Sequence, residues 1–190
     1  MAWLKRLFGG TGSGQNTIAP PPSDPVGFWR IIAQARGNSS EAKIIALREA
    51  LSSLSAEELI SFDADYDRRV RKAYRWDLWA AAHVINGGCG DDEFDYFRDW
   101  LISQGRDAYE AALVDPASLI SILKTVPKDE EVSFEGFRYV VGDVYEKKTG
   151  TDLPHLDFGA ASYEPAGEPW EEDDAKGMFP QLAEWAHERY

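Results

Sequence analysis

The stretch Ser55-Ala56-Glu57-Glu58-Leu59-Ile60-Ser61-Phe62-Asp63-Ala64-Asp65-Tyr66-Asp67-Arg68-Arg69-Val70-Arg71-Lys72-Ala73 decides the fold class. Ser55 with Glu58 three residues on is a capping box, in which each side chain satisfies a backbone N–H that the first helical turn leaves open. Leu59, Phe62, Tyr66, Val70 and Ala73 recur at spacings of three and four, the period of a helix with one buried face. Neither Gly nor Pro interrupts the chain from Ser55 to Ile85. The pattern predicts one long helix from about Ala56 to Ile85.

The same signals recur on both sides. Ser23-Asp24-Pro25 reads as a cap followed by Pro in the first helical turn. Phe28, Trp29, Ile31, Ile32 and Ala35 follow at helical spacing, and Gly37 and Asn38 stop that helix. Ser39 or Ser40 caps a second helix carrying Ile44, Ile45, Leu47, Leu51 and Leu54. Further helices are predicted at Asp92 to Ser103, Arg106 to Leu113, Ala117 to Leu123 and Phe134 to Lys148, with Gly150 just past the last. From Thr151 to Gly177 the chain reads as irregular, with Pro154, Pro165 and Pro169, and a short helix from Pro180 to Arg189 ends it. Strand-like alternation is almost absent. The expectation is an all-α fold: one compact domain of six to eight helices over residues 23–150, a flexible leader and linker at 1–22, and an acidic, aromatic strap at 151–190.

Composition narrows the functional classes. The chain of 190 residues carries 20 basic and 33 acidic side chains, a net charge of −13, which disfavours nucleic acid and anionic membrane and suits a basic protein partner. Its aromatic residues sit mostly in helix-periodic segments, which favours a core over a sticky surface. One cysteine excludes an internal disulfide and a cysteine-rich zinc site, as in a cytoplasmic protein. In the leader, Lys5 and Arg6 interrupt the apolar residues Trp3 to Phe8, so neither a signal peptide nor a membrane span is expected. That peptide reads as a weak peripheral membrane contact, a docking segment or a frayed end.

The segment that most resembles a site is Ile85-Asn86-Gly87-Gly88-Cys89-Gly90-Asp91-Asp92-Glu93-Phe94. The structural reading makes Gly87 a left-handed helix end and Asp91, Asp92 and Glu93 the first turn of the next helix. The chemical reading has His83, Cys89 and Asp91 or Asp92 as mixed metal ligands, but their spacing matches no zinc or calcium pattern, and no metal or cofactor is expected. Cys89 as a nucleophile with His83 as base lacks an orienting third group. Upstream, Arg68 to Arg75 is a basic run, read either as an anion site on one helix side or as counter-charge for nearby acids. Trp76-Asp77-Leu78-Trp79 places two indoles on one helical face, read first as core packing and otherwise as the wall of a pocket. A small-ligand pocket here would be walled by Arg75, Trp76, Asp77, Trp79, Asn86, Cys89, Asp91 and Asp92. In the tail, Glu168 to Tyr190 has seven acidic residues against Lys176 and Arg189, with Trp170, Phe179 and Trp185 interleaved, either a docking strip or a strap over the helices.

The runs Tyr74-Arg75-Trp76-Asp77-Leu78-Trp79-Ala80-Ala81-Ala82, Ile85 to Asp92 and Phe94-Asp95-Tyr96-Phe97-Arg98-Asp99-Trp100-Leu101-Ile102 resemble the bacterial domain-of-unknown-function family numbered 4240. So do the Phe28-Trp29 helix start and the Glu146-Lys147-Lys148-Thr149-Gly150 end, a resemblance over residues 25–150. It implies a small helical domain of bacteria and implies no activity, substrate or cofactor, so no catalytic residue is carried over. The leading expectation is a non-enzymatic, acidic, cytoplasmic interaction or regulatory module, one form of which neutralises a basic protein as an immunity protein does. The rival is an enzyme or small-ligand binder built on Arg75 to Asp92.

Overall fold

The computed structural model describes residues 17–37, 39–128, 130–159 and 164–189. The expected leader, with Trp3 to Phe8, and Asn38 lie outside them. The body begins where Asp24 accepts the Gly27 N–H at 2.9 Å and starts helix α1 (Pro25–Ile32). Helix α2 (Ser40–Ser52) follows, capped by Ser39. Helix α3 (Ala56–Lys72) opens with the expected capping box: the Ser55 N–H donates to Glu58 Oε2 at 2.7 Å, and the Glu58 N–H donates to Ser55 Oγ at 3.2 Å. Asp65 on α3 ties down the chain start, accepting from Ser23 Oγ at 2.5 Å and the Asp24 N–H at 2.7 Å. Arg69 is buried with it, its guanidinium 4.0 Å from the Phe28 ring centre.

The expected single helix from Ala56 to Ile85 is two helices. It breaks after Lys72, and helix α4 (Trp76–Asn86) starts anew. Arg75 is extended at φ −141°, ψ 143°. The cause is pairing with the strap: the Ala166 N–H donates to the Tyr74 carbonyl at 2.9 Å, and the Trp76 N–H donates to the Ala166 carbonyl at 2.9 Å. The Leu78 N–H, which a continuous helix would direct to Tyr74, donates to Asp77 Oδ1 at 2.8 Å. Helix α4 ends as expected at Gly87, whose φ of 68° favours a residue without a Cβ.

Helices α5 (Asp91–Ser103) and α6 (Arg106–Val114) fall where the periodicity puts them. The segment expected as a helix from Ala117 is a 3₁₀ turn (Pro116–Leu119) running into α7 (Ile120–Leu123). Helix α8 (Val140–Thr149) begins later than the expected Phe134, because Gly136 sits at φ +92° and the Phe134 N–H donates to the Tyr96 carbonyl at 3.0 Å. Thr17–Ile18 (β1), in the segment read as a linker, pairs in parallel with His155–Leu156 (β2). The strap contains α9 (Glu172–Met178), in the stretch read as irregular, and α10 (Pro180–Arg189), both packed on α4. The described residues hold eight α-helices between Pro25 and Thr149, within the six to eight expected of the core domain, and two more in the strap, where only the last was expected.

The core is aromatic. Trp76 stacks on Trp79 at 5.5 Å, Trp79 on Phe94 at 4.9 Å, and the row continues through Phe97 to Trp100. No described helix is long and apolar enough to cross a membrane.

Candidate functional site

Most of the candidate residues in the segment 75–92 are engaged by the fold. Arg75 grips Asp77 through two nitrogens, Nε to Oδ1 at 2.9 Å and Nη2 to Oδ2 at 2.6 Å. Burial works against the Asp77 charge, but the Arg75 hydrogen bonds, the Leu78 N–H and the Arg75 charge together hold its carboxyl below the ordinary value. The Trp79 indole donates to the Cys89 carbonyl at 2.8 Å, locking the turn after α4 onto the aromatic row. Burial, with the nearby Glu93 charge, pushes the Cys89 thiol up to about 12, so it is a thiol and not a nucleophilic thiolate at neutral pH. Asn86 Nδ2 reaches the Val132 carbonyl at 3.4 Å. Asp91 and Asp92 are exposed in the first turn of α5, where their charge suits the helix dipole. His83 faces Glu172 at 3.5 Å and the Trp170 ring at 5.0 Å, away from any pairing with Cys89. Trp76, Trp79 and Cys89 are brought together; Asn86 and the two aspartates turn elsewhere. Among the described residues, no three His, Cys, Asp or Glu side chains are placed to hold a metal ion.

The basic run is also partnered. Arg68 and Arg69 pair with Asp65 at 3.3 and 3.2 Å, and Lys72 with Glu110 at 3.7 Å. Arg75, expected on the same helix side, sits beyond the break, and Arg71 lies over the Phe158 ring.

An open cleft of about 640 Å³ lies elsewhere. Its walls are Ser39 and Ser40 at the start of α2, Glu93 and Tyr96 on α5, and Pro127, Glu130, Glu131, Ser133, Phe134 and Glu135 of the connection into α8. Four glutamates therefore face one concavity around a tyrosine. Lys43 Nζ approaches Glu130 Oε1 at 3.7 Å at its rim. The wall carrying Val126, Pro127 and Glu130 is pinned from the strap: Arg189 donates to the carbonyls of Val126 at 3.4 Å and Pro127 at 2.6 Å, and to that of Glu130. Sequence reasoning did not assemble this cleft. Its one sequence signal was the acidic tract Asp129-Glu130-Glu131 near Glu135, which reads alone as a solvated loop.

A family model described as "Protein of unknown function (DUF4240)" matches residues 24–147, and the chain belongs to that family. No curated protein and no solved structure matches it.

Proposed function

We propose that this member of the DUF4240 family is a non-enzymatic interaction module of the bacterial cytoplasm that receives a basic protein segment in its acidic cleft. The cleft carries the reading: Glu93, Glu130, Glu131 and Glu135 converge on it with Tyr96. An arginine entering there would meet carboxylates matched to its fork of N–H donors and an aromatic ring for its planar face. The net charge of −13 would steer such a partner toward the protein and weaken the attraction as salt rises. Neutralising a basic protein, as an immunity protein does, is one use of such a cleft. Against an enzyme built on 75–92 stand the protonated Cys89 thiol and the internal pairing of Arg75 with Asp77.

The test is binding of a fluorescein-labelled octa-arginine peptide by anisotropy. A cleft variant, E130Q/E131Q/E135Q, is compared with a charge-matched variant of exposed glutamates outside the cleft, E49Q/E184Q/E188Q. The cleft variant should bind about tenfold more weakly than the matched one, a difference of about 1.4 kcal/mol. Equal losses in both variants would mean that only the overall charge attracts the peptide, and the cleft reading would fall.

A further inference from the structure

Among the described residues, the one cation paired with a cleft glutamate is Lys43, 3.7 Å from Glu130. Apolar surface adjoins the remaining charge: Tyr96 lines the cleft, and Tyr139, 56% exposed, stands near it. One segment of the same chain carries the opposite pattern. Residues 1–23 hold Lys5 and Arg6 and no acidic side chain, in a chain whose net charge is −13. Trp3, Leu4, Leu7 and Phe8 flank the two cations. Residues 1–16 lie outside the described residues, but the start of the described chain is tied to the element that anchors the cleft. Strand β1 (Thr17–Ile18) lies on β2, and Phe158, two residues past β2, faces Arg68 of α3 at 5.5 Å. Arg68 also donates to the Pro21 carbonyl. The neighbouring residue of α3, Asp67, pairs with Arg138, three residues past Glu135 of the cleft. The ten residues 7–16 between Arg6 and Thr17 span up to about 36 Å at about 3.6 Å each. A domain of this size has a radius of gyration of about 16 Å, so the cleft is within reach of Lys5 and Arg6.

We propose that the chain's own leader occupies the cleft of the free protein, setting Lys5 and Arg6 among Glu130, Glu131 and Glu135 and their apolar neighbours against Tyr96 and Tyr139. The contact is autoinhibitory, since an incoming basic segment must displace it. It rests on the reading of the cleft as a seat for basic segments and names the regulation of that seat. Two cations meeting exposed carboxylates bind weakly on their own, because water and salt screen them. The tether offsets this weakness. A segment joined by a short linker is present at an effective concentration in the millimolar range, so a leader of millimolar intrinsic affinity is docked about half the time. A separate partner has no tether, and it displaces the leader by bringing more cations than two.

Nitrogen-15 amide spectra of the unaltered full chain and of K5Q/R6Q read the leader's seat without any peptide. Both changes lie outside the helical core, so the variant keeps the fold. The amide shifts of Tyr96, Glu131 and Glu135 should differ between the two proteins, and the differences should persist on tenfold dilution. Differences confined to the leader, or gathered on another face, overturn the proposal. Loss of the differences on dilution also overturns it, because the cleft would then be receiving the leader of a second copy. The inhibitory effect is read with the labelled octa-arginine peptide. K5Q/R6Q should bind it about twofold or more tightly than R106Q/K147Q, which removes the same charge from two exposed sites outside the cleft. Equal affinities of these two variants overturn the autoinhibition. The two readings fail separately. Octa-arginine that is indifferent to E130Q/E131Q/E135Q sinks the cleft as a seat for external partners, whereas spectra without cleft differences sink the leader even where that peptide binds in the cleft.

Discussion

Leu182→Ala asks how far the C-terminal strap belongs to the fold. Leu182 is fully buried on α10, with Ala175 and Phe179 buried beside it and Trp170 and Trp185 packed on the same core. Truncation to Ala removes the apolar equivalent of three methylenes, about 2.4 kcal/mol at about 0.8 each. The cavity left on α4 brings the cost to about 3 kcal/mol, inside the range of about 2–5 for buried Leu→Ala changes. For a chain of this size each kcal/mol shifts the melting temperature by about 2–4 °C, so the expected drop is about 6–12 °C. Differential scanning calorimetry measures it, with Glu184→Ala on the same helix as an exposed control expected within about 0.5 kcal/mol. A drop below about 2 °C would refute the reasoning. So would early proteolysis confined to 167–189 with the main transition unmoved, because either result would make the strap a peripheral strip.

Cys89 should react with iodoacetamide at pH 7 at least about a hundredfold more slowly in the folded protein than in urea, because its thiolate is disfavoured by burial and by Glu93. Similar rates in the two states would show an accessible thiolate and reopen the nucleophile reading. Asp77→Asn should cost about 1 kcal/mol or less, since the side chains of Arg75 and Asp77 are 35% and 34% exposed and water screens the pair. Urea midpoints check this, and loss of the folded state would show that the pair is needed to set the start of α4.

Local signals in the sequence carried most of the helices. The Ser55–Glu58 box, the Asp24 cap and the glycine after Asn86 act within one turn of chain, so they read directly. The break at Arg75 did not, because its cause is Ala166, far along the chain, whose backbone groups compete for Tyr74 and Trp76. The late start of α8 likewise depends on Tyr96 accepting from Phe134 across the fold. Asp99 looks like a solvated helix residue until Tyr66 is found against it. The conspicuous Cys89 turn proved to be held by Trp79, whereas the cleft draws on three separated segments, none of which stands out alone.

Two arginines give the cleft its shape from behind. Arg189 holds the carbonyls of Val126, Pro127 and Glu130 on one wall, and Arg138 anchors the turn that carries Phe134 and Glu135. Both spend their charge on groups other than the glutamate side chains, on backbone oxygens in one case and on Asp67 in the other. Lys43 pairs with Glu130 at 3.7 Å, whereas the two arginines hold the walls without closing on a glutamate side chain. Further ion pairs formed directly with Glu93, Glu131 or Glu135 would shape the wall equally well and would cancel more of the attraction for a basic ligand. This separation of the positioning charge from the displayed charge distinguishes the cleft from the basic run on α3, where Arg68 and Arg69 close directly on Asp65.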